Sequence, residues 1–116
     1  MTLAEIITEV NARNPNGYTE ETEAKVLYTF ESRIFHEFTG EEKKPFSSEA
    51  LNEQLYLPDR YADVYIYYLS AMLHFWNKEY EEYNNHVSAF SESLEQYRAE
   101  FGKNNKGATH RFYNLF

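Results

Sequence analysis

The stretch YEEYNNHVSAFSESLEQYRAEF, residues 80–101, decides the fold class. Its apolar residues recur at alternating spacings of three and four, which places them on one face of an α-helix. These residues are Tyr80, Tyr83, Val87, Phe90, Leu94, Tyr97 and Phe101. Most residues between them are polar. The helix must therefore bury its apolar face against a second apolar surface.

The segment just before this helix supplies that surface. Residues 61–76, YADVYIYYLSAMLHFW, are apolar or aromatic on almost every side. The pattern predicts a third helix over about residues 60–76, with Asp59 as its N-cap, and a fourth over about residues 79–101, ended by Gly102. We expect the core between them to be filled by Tyr65, Tyr68, Leu69, Met72, Phe75 and Trp76.

Two further helices are predicted nearer the N-terminus. Thr2 and Glu5 have the spacing of a capping box, which predicts a first helix over residues 3–13. Thr19 is the expected N-cap of a second helix that ends at Gly40. The apolar stripe of the second helix is Val26 or Leu27, Phe30, Ile34 and Phe38. The predicted fold class is therefore all-α, with four principal helices in a small bundle.

Charge divides the chain into two unequal parts. Residues 1–101 hold eight Lys or Arg and all 19 Asp or Glu, a net charge of −11, and we expect them to form a single helical domain. Residues 102–116 carry a net charge of +3 and are predicted to be a flexible basic-aromatic tail. This tail either folds back on its own domain or reaches a neighbouring chain, and its composition favours the neighbour. Its interface candidates are Arg111, Phe112, Tyr113 and Phe116.

Several classes of protein do not fit the composition. The chain has no cysteine, which excludes disulfides and thiolate metal sites. Its longest apolar run, residues 64–76, is about 13 residues, well short of the roughly 20 that cross a bilayer. We therefore expect a soluble protein with no membrane partner. An acidic body also opposes tight binding to phosphate backbones.

No convincing reaction centre appears in the sequence. None of the four histidines follows an acidic residue by three positions, so the ligand pattern of helical di-iron bundles is missing. Glu82 and His86 share a helix face, but two such residues on an exposed face are typical of a weak surface pair. We therefore predict no enzyme activity, no catalytic residues, no cofactor and no metal site.

Aromatic residues are the other unusual feature, at 18% of the chain. A single small core has limited room for Tyr61, Tyr67 and Tyr68 together with Tyr56, and tyrosine is enriched where proteins meet. One face of the third helix is therefore a candidate intersubunit surface. Asn84 is a further candidate, because it either is solvated or hydrogen-bonds a neighbouring helix or loop.

Three segments resemble a known family. They are LYLPDRYADVY (residues 55–65), YLSAM (68–72) and NKEYEEYNN (77–85), and the basic-aromatic RFYN (111–114) belongs to the same resemblance. This pattern is similar to the head–tail connector (adaptor, neck) proteins of tailed phages and prophages of Gram-positive bacteria. Lys78 stands where such proteins usually have a glycine between the third and fourth helices.

The resemblance implies a virion structural protein. Such a subunit assembles into a homo-oligomeric ring below the portal protein, extends the DNA channel and contacts the next neck or tail component. DNA would pass without specific binding, and the protein would occupy the virion neck after assembly in the host cytoplasm. The alternative function is a small acidic helical regulator or inhibitor that binds a host protein as a dimer.

Overall fold

Four α-helices and two single-turn 3-10 segments make up the fold in a computed structural model, which describes residues 1–104. The α-helices are α1 (Leu3–Arg13), α2 (Glu20–Thr39), α3 (Ala62–Trp76) and α4 (Tyr80–Asn104). The 3-10 segments are Ser48–Asn52 and Asp59–Tyr61. No strand occurs within these 104 residues beyond an isolated bridge between Thr2 and Gln54. The predicted all-α class with four principal helices is confirmed.

The first two helices begin where their capping residues predict. The Thr2 hydroxyl accepts the Glu5 amide at 3.2 Å, and the Glu5 carboxylate accepts the Thr2 amide at 3.0 Å. The Thr19 hydroxyl accepts the Thr22 amide at 3.2 Å. At the other end of α2, Gly40 has a φ of 73°, a left-handed conformation that glycine adopts at little cost.

Helix α3 is the central element and lies against the other three helices. Its Tyr65, Leu69 and Leu73 are almost fully buried. From α2, Phe30 stacks on Tyr68 with ring centroids 4.1 Å apart and meets Tyr65 edge-on at 5.8 Å. Aromatic packing of this kind buries large areas and favours offset or edge-on geometry. The aromatic residues of α3 therefore account for much of the core.

The turn between α3 and α4 is a Schellman motif. The Glu79 amide donates to the His74 carbonyl at 2.9 Å, and the Lys78 amide donates to the Phe75 carbonyl at 3.0 Å. Lys78 has a φ of 62°, the left-handed conformation that this motif requires. A lysine therefore occupies a position that normally favours glycine, and the turn keeps its geometry.

Two predicted helix boundaries are wrong. Asp59 begins a 3-10 turn, and the N-cap of α3 is Tyr61, which makes no side-chain capping bond. The Asp59 carboxylate instead pairs with the N-terminal amine of Met1. Helix α4 continues through Gly102 to Asn104, and Phe101 packs edge-on against Phe38 with ring centroids 5.0 Å apart. Such tertiary packing offsets the weak helix propensity of glycine.

The irregular segment 41–61 is held by Glu31, a fully buried carboxylate of α2. One oxygen of Glu31 accepts the Tyr65 hydroxyl at 2.5 Å. The other accepts the Tyr56 amide at 2.7 Å and lies 3.0 Å from Lys43 Nζ. The Tyr65 hydroxyl in turn accepts the Leu57 amide at 3.1 Å. Burial and this carboxylate raise the pKa of Tyr65.

A buried ion pair joins α4 to α2. The Arg98 guanidinium donates to both carboxylate oxygens of Glu37, at 2.8 and 3.0 Å, and to Glu95 at 2.7 Å. Only 7% of the Arg98 side chain and none of the Glu37 carboxylate side chain is exposed. Two-point contact of this type fixes the orientation of the partners. It therefore defines how the C-terminal half of α4 sits on α2.

Candidate functional site

Among the described residues, the most exposed aromatic surface lies at the turn between α3 and α4. Phe75, at the end of α3, is 46% exposed, and Tyr80, at the start of α4, is 54% exposed. Tyr83 belongs to the same group of rings. The centroid of the Phe75 ring lies 6.0 Å from that of Tyr80 and 5.1 Å from that of Tyr83. We call Phe75, Tyr80 and Tyr83 the turn patch. Phe75 was predicted to be a core residue and Tyr80 to lie on a buried stripe, and both predictions are wrong.

These rings lie where the Schellman turn reverses the chain. The reversal takes three residues, Asn77 to Glu79, and Phe75 before it and Tyr80 after it are both exposed. Residues 78–82, KEYEE, carry a net charge of −2, and Glu79, Glu81 and Glu82 are exposed. The turn patch is therefore an apolar surface with an acidic rim.

The predicted tyrosine face of α3 is only partly at the surface. Tyr68 is 6% exposed and stacks in the core, so in this conformation it offers no surface to a partner. Tyr67 is half-buried, with its ring 6.4 Å from that of His86. Tyr61 is half-buried beside Tyr97 at 5.2 Å, and a hydrogen bond to Glu100 raises the pKa of Tyr61. The interface role of Tyr61 and Tyr67 stays a prediction.

The remaining interface candidates are Asn84 and four residues of the tail. Asn84 is exposed, and its side chain makes no hydrogen bond to any of the residues 1–104, so the solvated alternative describes it. Its part in an interface stays a prediction. The four tail candidates, Arg111, Phe112, Tyr113 and Phe116, lie outside the described residues.

A group of polar side chains lies beside the turn patch. His74, at the end of α3, comes close to Glu82 and His86 on α4, and one donor atom from each of the three lies within 4.8 Å of the other two. The imidazole rings of His74 and His86 have centroids 4.9 Å apart. These residues are the ones, within the described part of the chain, that could hold a metal ion.

Sequence reasoning paired Glu82 with His86 but missed His74. The first two are four residues apart on one helix, which a sequence shows directly. His74 joins them only because α3 and α4 pack antiparallel with a particular register across the turn. The exposure of Phe75 was missed for a related reason. Helix α3 is apolar on almost every side, so its sequence does not show which side remains exposed.

The fold and these surfaces define an acidic, all-helical protein with an exposed aromatic patch beside a histidine–carboxylate cluster. The chain matches no known protein-family model, no curated protein and no solved structure. Among residues 1–104, none of the helices is both long and apolar enough to span a membrane.

Proposed function

We propose that this protein is a phage or prophage virion structural protein, a head–tail connector subunit that assembles into a ring below the portal and extends the DNA channel. The identity of the assembly rests on the sequence resemblance of residues 55–85. The observation that carries an assembly role is the turn patch, because exposed aromatic clusters with a polar rim mark sites where proteins meet.

The sequence of the tail is chemically complementary to the turn patch. The tail carries Arg111 beside Phe112 and Tyr113, which suits an aromatic surface with an acidic rim. Cationic and aromatic side chains of a neighbouring copy would contact Phe75 and Tyr80 and pair with Glu81. The patch and the tail then form the two halves of one interface.

Helix length favours a neighbour over the same chain as the source of that tail. Helix α4 runs from Tyr80 to Asn104, and at 1.5 Å per residue these positions are about 36 Å apart. The eight residues from 104 to 112 span at most about 29 Å when fully extended. The second length is shorter than the first, so the backbone at position 112 does not reach position 80 of its own chain even when fully extended. The tail of a second copy has no such restriction.

A contact between the tail of one copy and the turn patch of the next is heterologous. Repeating such a contact produces a ring when the rotation closes, and a ring is what a connector requires. The acidic body also suits a conduit for DNA. A net charge of −11 on residues 1–101 opposes binding to phosphates, so DNA could pass without being held.

Isotope-mixed crosslinking tests this interface. A photo-crosslinking amino acid replaces Phe112, and equal amounts of ¹⁴N- and ¹⁵N-labelled protein are mixed, irradiated and digested. We expect position 112 to crosslink to the peptide that contains residues 75–83, with mixed-isotope products. The same label at the exposed Gln96 is the control, and it should not reach that peptide.

Crosslinks from position 112 that join only peptides of one isotope would show an intramolecular tail and would contradict the interface. Crosslinks to another surface of a neighbouring copy would contradict the turn patch as its partner.

A further inference from the structure

We propose that His74, Glu82 and His86 form a binding site for Zn²⁺ at the junction of α3 and α4. The site goes beyond the proposed assembly role and does not depend on it. Two imidazoles and one carboxylate form a donor set that zinc sites use when three protein ligands leave a fourth position open.

The backbone brings the three ligands together from two helices. His74 lies in the last turn of α3, and the Schellman turn sends α4 back alongside it. Glu82 and His86 follow four residues apart on the same face of α4. One donor atom of each residue lies within 4.8 Å of the other two. In a tetrahedral zinc site the ligand atoms are about 3.3 Å apart, so side-chain movements that shorten the separations by up to about 1.5 Å would close the cluster.

Hydrogen bonds already hold both imidazoles in the tautomer that a metal needs. His86 Nδ1 lies 2.7 Å from the Glu82 carbonyl oxygen, which can only accept, so Nδ1 is the donor. His74 Nδ1 lies 3.0 Å from Glu79 Oε1, an acceptor to which an N–H at Nδ1 would donate. In a neutral imidazole with the proton on Nδ1, the free lone pair is on Nε2. With this tautomer, Nε2 of each ring is the atom that would bind the metal.

The partners of the two Nδ1 atoms are the kinds that orient zinc ligands. Metal-binding histidines usually donate the second ring N–H to a carboxylate or to a backbone carbonyl. Glu79 supplies the carboxylate for His74, and the Glu82 backbone supplies the carbonyl for His86. Glu79 is thus a positioning residue, and Glu82 contributes both its backbone and its side chain.

Exposure permits entry of the ion without leaving the ligands fully solvated. The His74 side chain is only 15% exposed, His86 is half-buried and Glu82 is exposed. A bound ion would tie the end of α3 to the first turns of α4, directly beside the turn patch.

Calorimetric titration of the tag-free full-length chain with Zn²⁺ tests the site, at a pH of about 7.5 because zinc binds deprotonated ligands. We expect one equivalent to bind, and Co²⁺ to give the visible absorption of a tetrahedral complex. His86→Ala and Glu82→Gln should each weaken binding at least tenfold, and Glu79→Ala should weaken it about 10- to 100-fold.

The other two histidines provide matched controls. His36→Ala changes an exposed histidine on α2, and His110→Ala changes the histidine outside the described residues. Both variants should bind Zn²⁺ and Co²⁺ as the wild type does, and far-ultraviolet circular dichroism should show equal helix content in all variants. Weak binding by the wild type, in the millimolar range, would overturn the proposal. Equal losses in the control variants, or no loss in His86→Ala, would also overturn it.

Discussion

Helix α2 has two fully buried carboxylates, Glu23 and Glu31, and they differ in how many hydrogen bonds they accept. Glu31 accepts a hydroxyl and an amide and pairs with Lys43. Glu23 accepts only the Asn11 side-chain amide, at 3.1 Å, and its Oε2 has no hydrogen-bond partner among residues 1–104. Burial, the largest cause, raises the pKa of Glu23, and the nearby charge of Glu20 raises it further.

This raised pKa predicts how stability depends on pH. Between the ordinary glutamate pKa of about 4.3 and the raised pKa of folded Glu23, the folded state binds more protons than the unfolded state. The contribution of Glu23 is therefore fully present at low pH and is lost as the pH rises through this window. Glu23→Gln should match the wild type at low pH and exceed its unfolding free energy at neutral pH. The gain should be about 1.4 kcal/mol for each unit by which the folded pKa exceeds the unfolded one.

Urea unfolding at a series of pH values measures this effect. Glu92→Gln, which removes an exposed carboxylate from α4, is the control, and its stability should follow the wild-type pH profile. A Glu23→Gln variant that is less stable than the wild type at neutral pH would contradict a carboxylate that burial disfavours in its charged form.

The sequence shows that these two charged residues lie at apolar positions of α2, but it does not show what they contact. Glu23 and Glu31 each lie four residues from Leu27, so both fall on the apolar stripe of α2, where a charged residue needs a partner. The partners of Glu31 come from segments 12 to 34 residues further along the chain. Their positions depend on how the irregular segment 41–61 is folded, which no local pattern specifies.

At the scale of elements, helix starts and stops could be predicted wherever a short-range device sets them. The capping box of Thr2 and Glu5, the cap at Thr19 and the left-handed Gly40 are all confirmed. The boundaries predicted at Asp59 and Gly102 are wrong because long-range contacts determine where those two helices begin and end. A salt bridge to the N-terminus engages Asp59, and packing of Phe101 against Phe38 carries α4 past Gly102.

Lys78 is the element-scale position with the clearest cost. A residue with a β-carbon loses about 1 to 2 kcal/mol in the left-handed conformation, while glycine adopts it readily at some cost in unfolded-state entropy. Lys78→Gly should therefore raise the free energy of unfolding by about 0.5 to 1 kcal/mol. Denaturant unfolding measures the change.

Lys78→Ala is the matched variant, because it removes the same charge but keeps the β-carbon. It should leave the unfolding free energy close to that of the wild type. If the alanine and glycine variants were equally stabilised, loss of the lysine charge would be the cause, and left-handed strain would not.

At the scale of the whole molecule, the sequence predicted the helical class but not the most exposed surface. Helical periodicity determines which residues can share a face, so the four helices followed from it. The turn patch and the cluster of His74, Glu82 and His86 depend on how α3 and α4 pack against each other. These relations are tertiary, and a single sequence does not state them.

A connector subunit must associate with copies of itself through two different surfaces. When the tail of one copy contacts the turn patch of the next and the contact is not returned, the interface is heterologous and continues past a dimer until a ring closes. A small regulator that acts as a dimer would instead use one self-complementary surface. Stoichiometry therefore separates the two functions.

The native mass of the purified full-length protein, measured by analytical ultracentrifugation over a wide range of concentrations, tests this claim most directly. We predict a mass that rises with concentration past the dimer toward one closed ring, and a return to monomer when residues 105–116 are deleted. A dimer whose mass does not change with concentration, or a chain that stays monomeric at the highest concentration, would contradict the account.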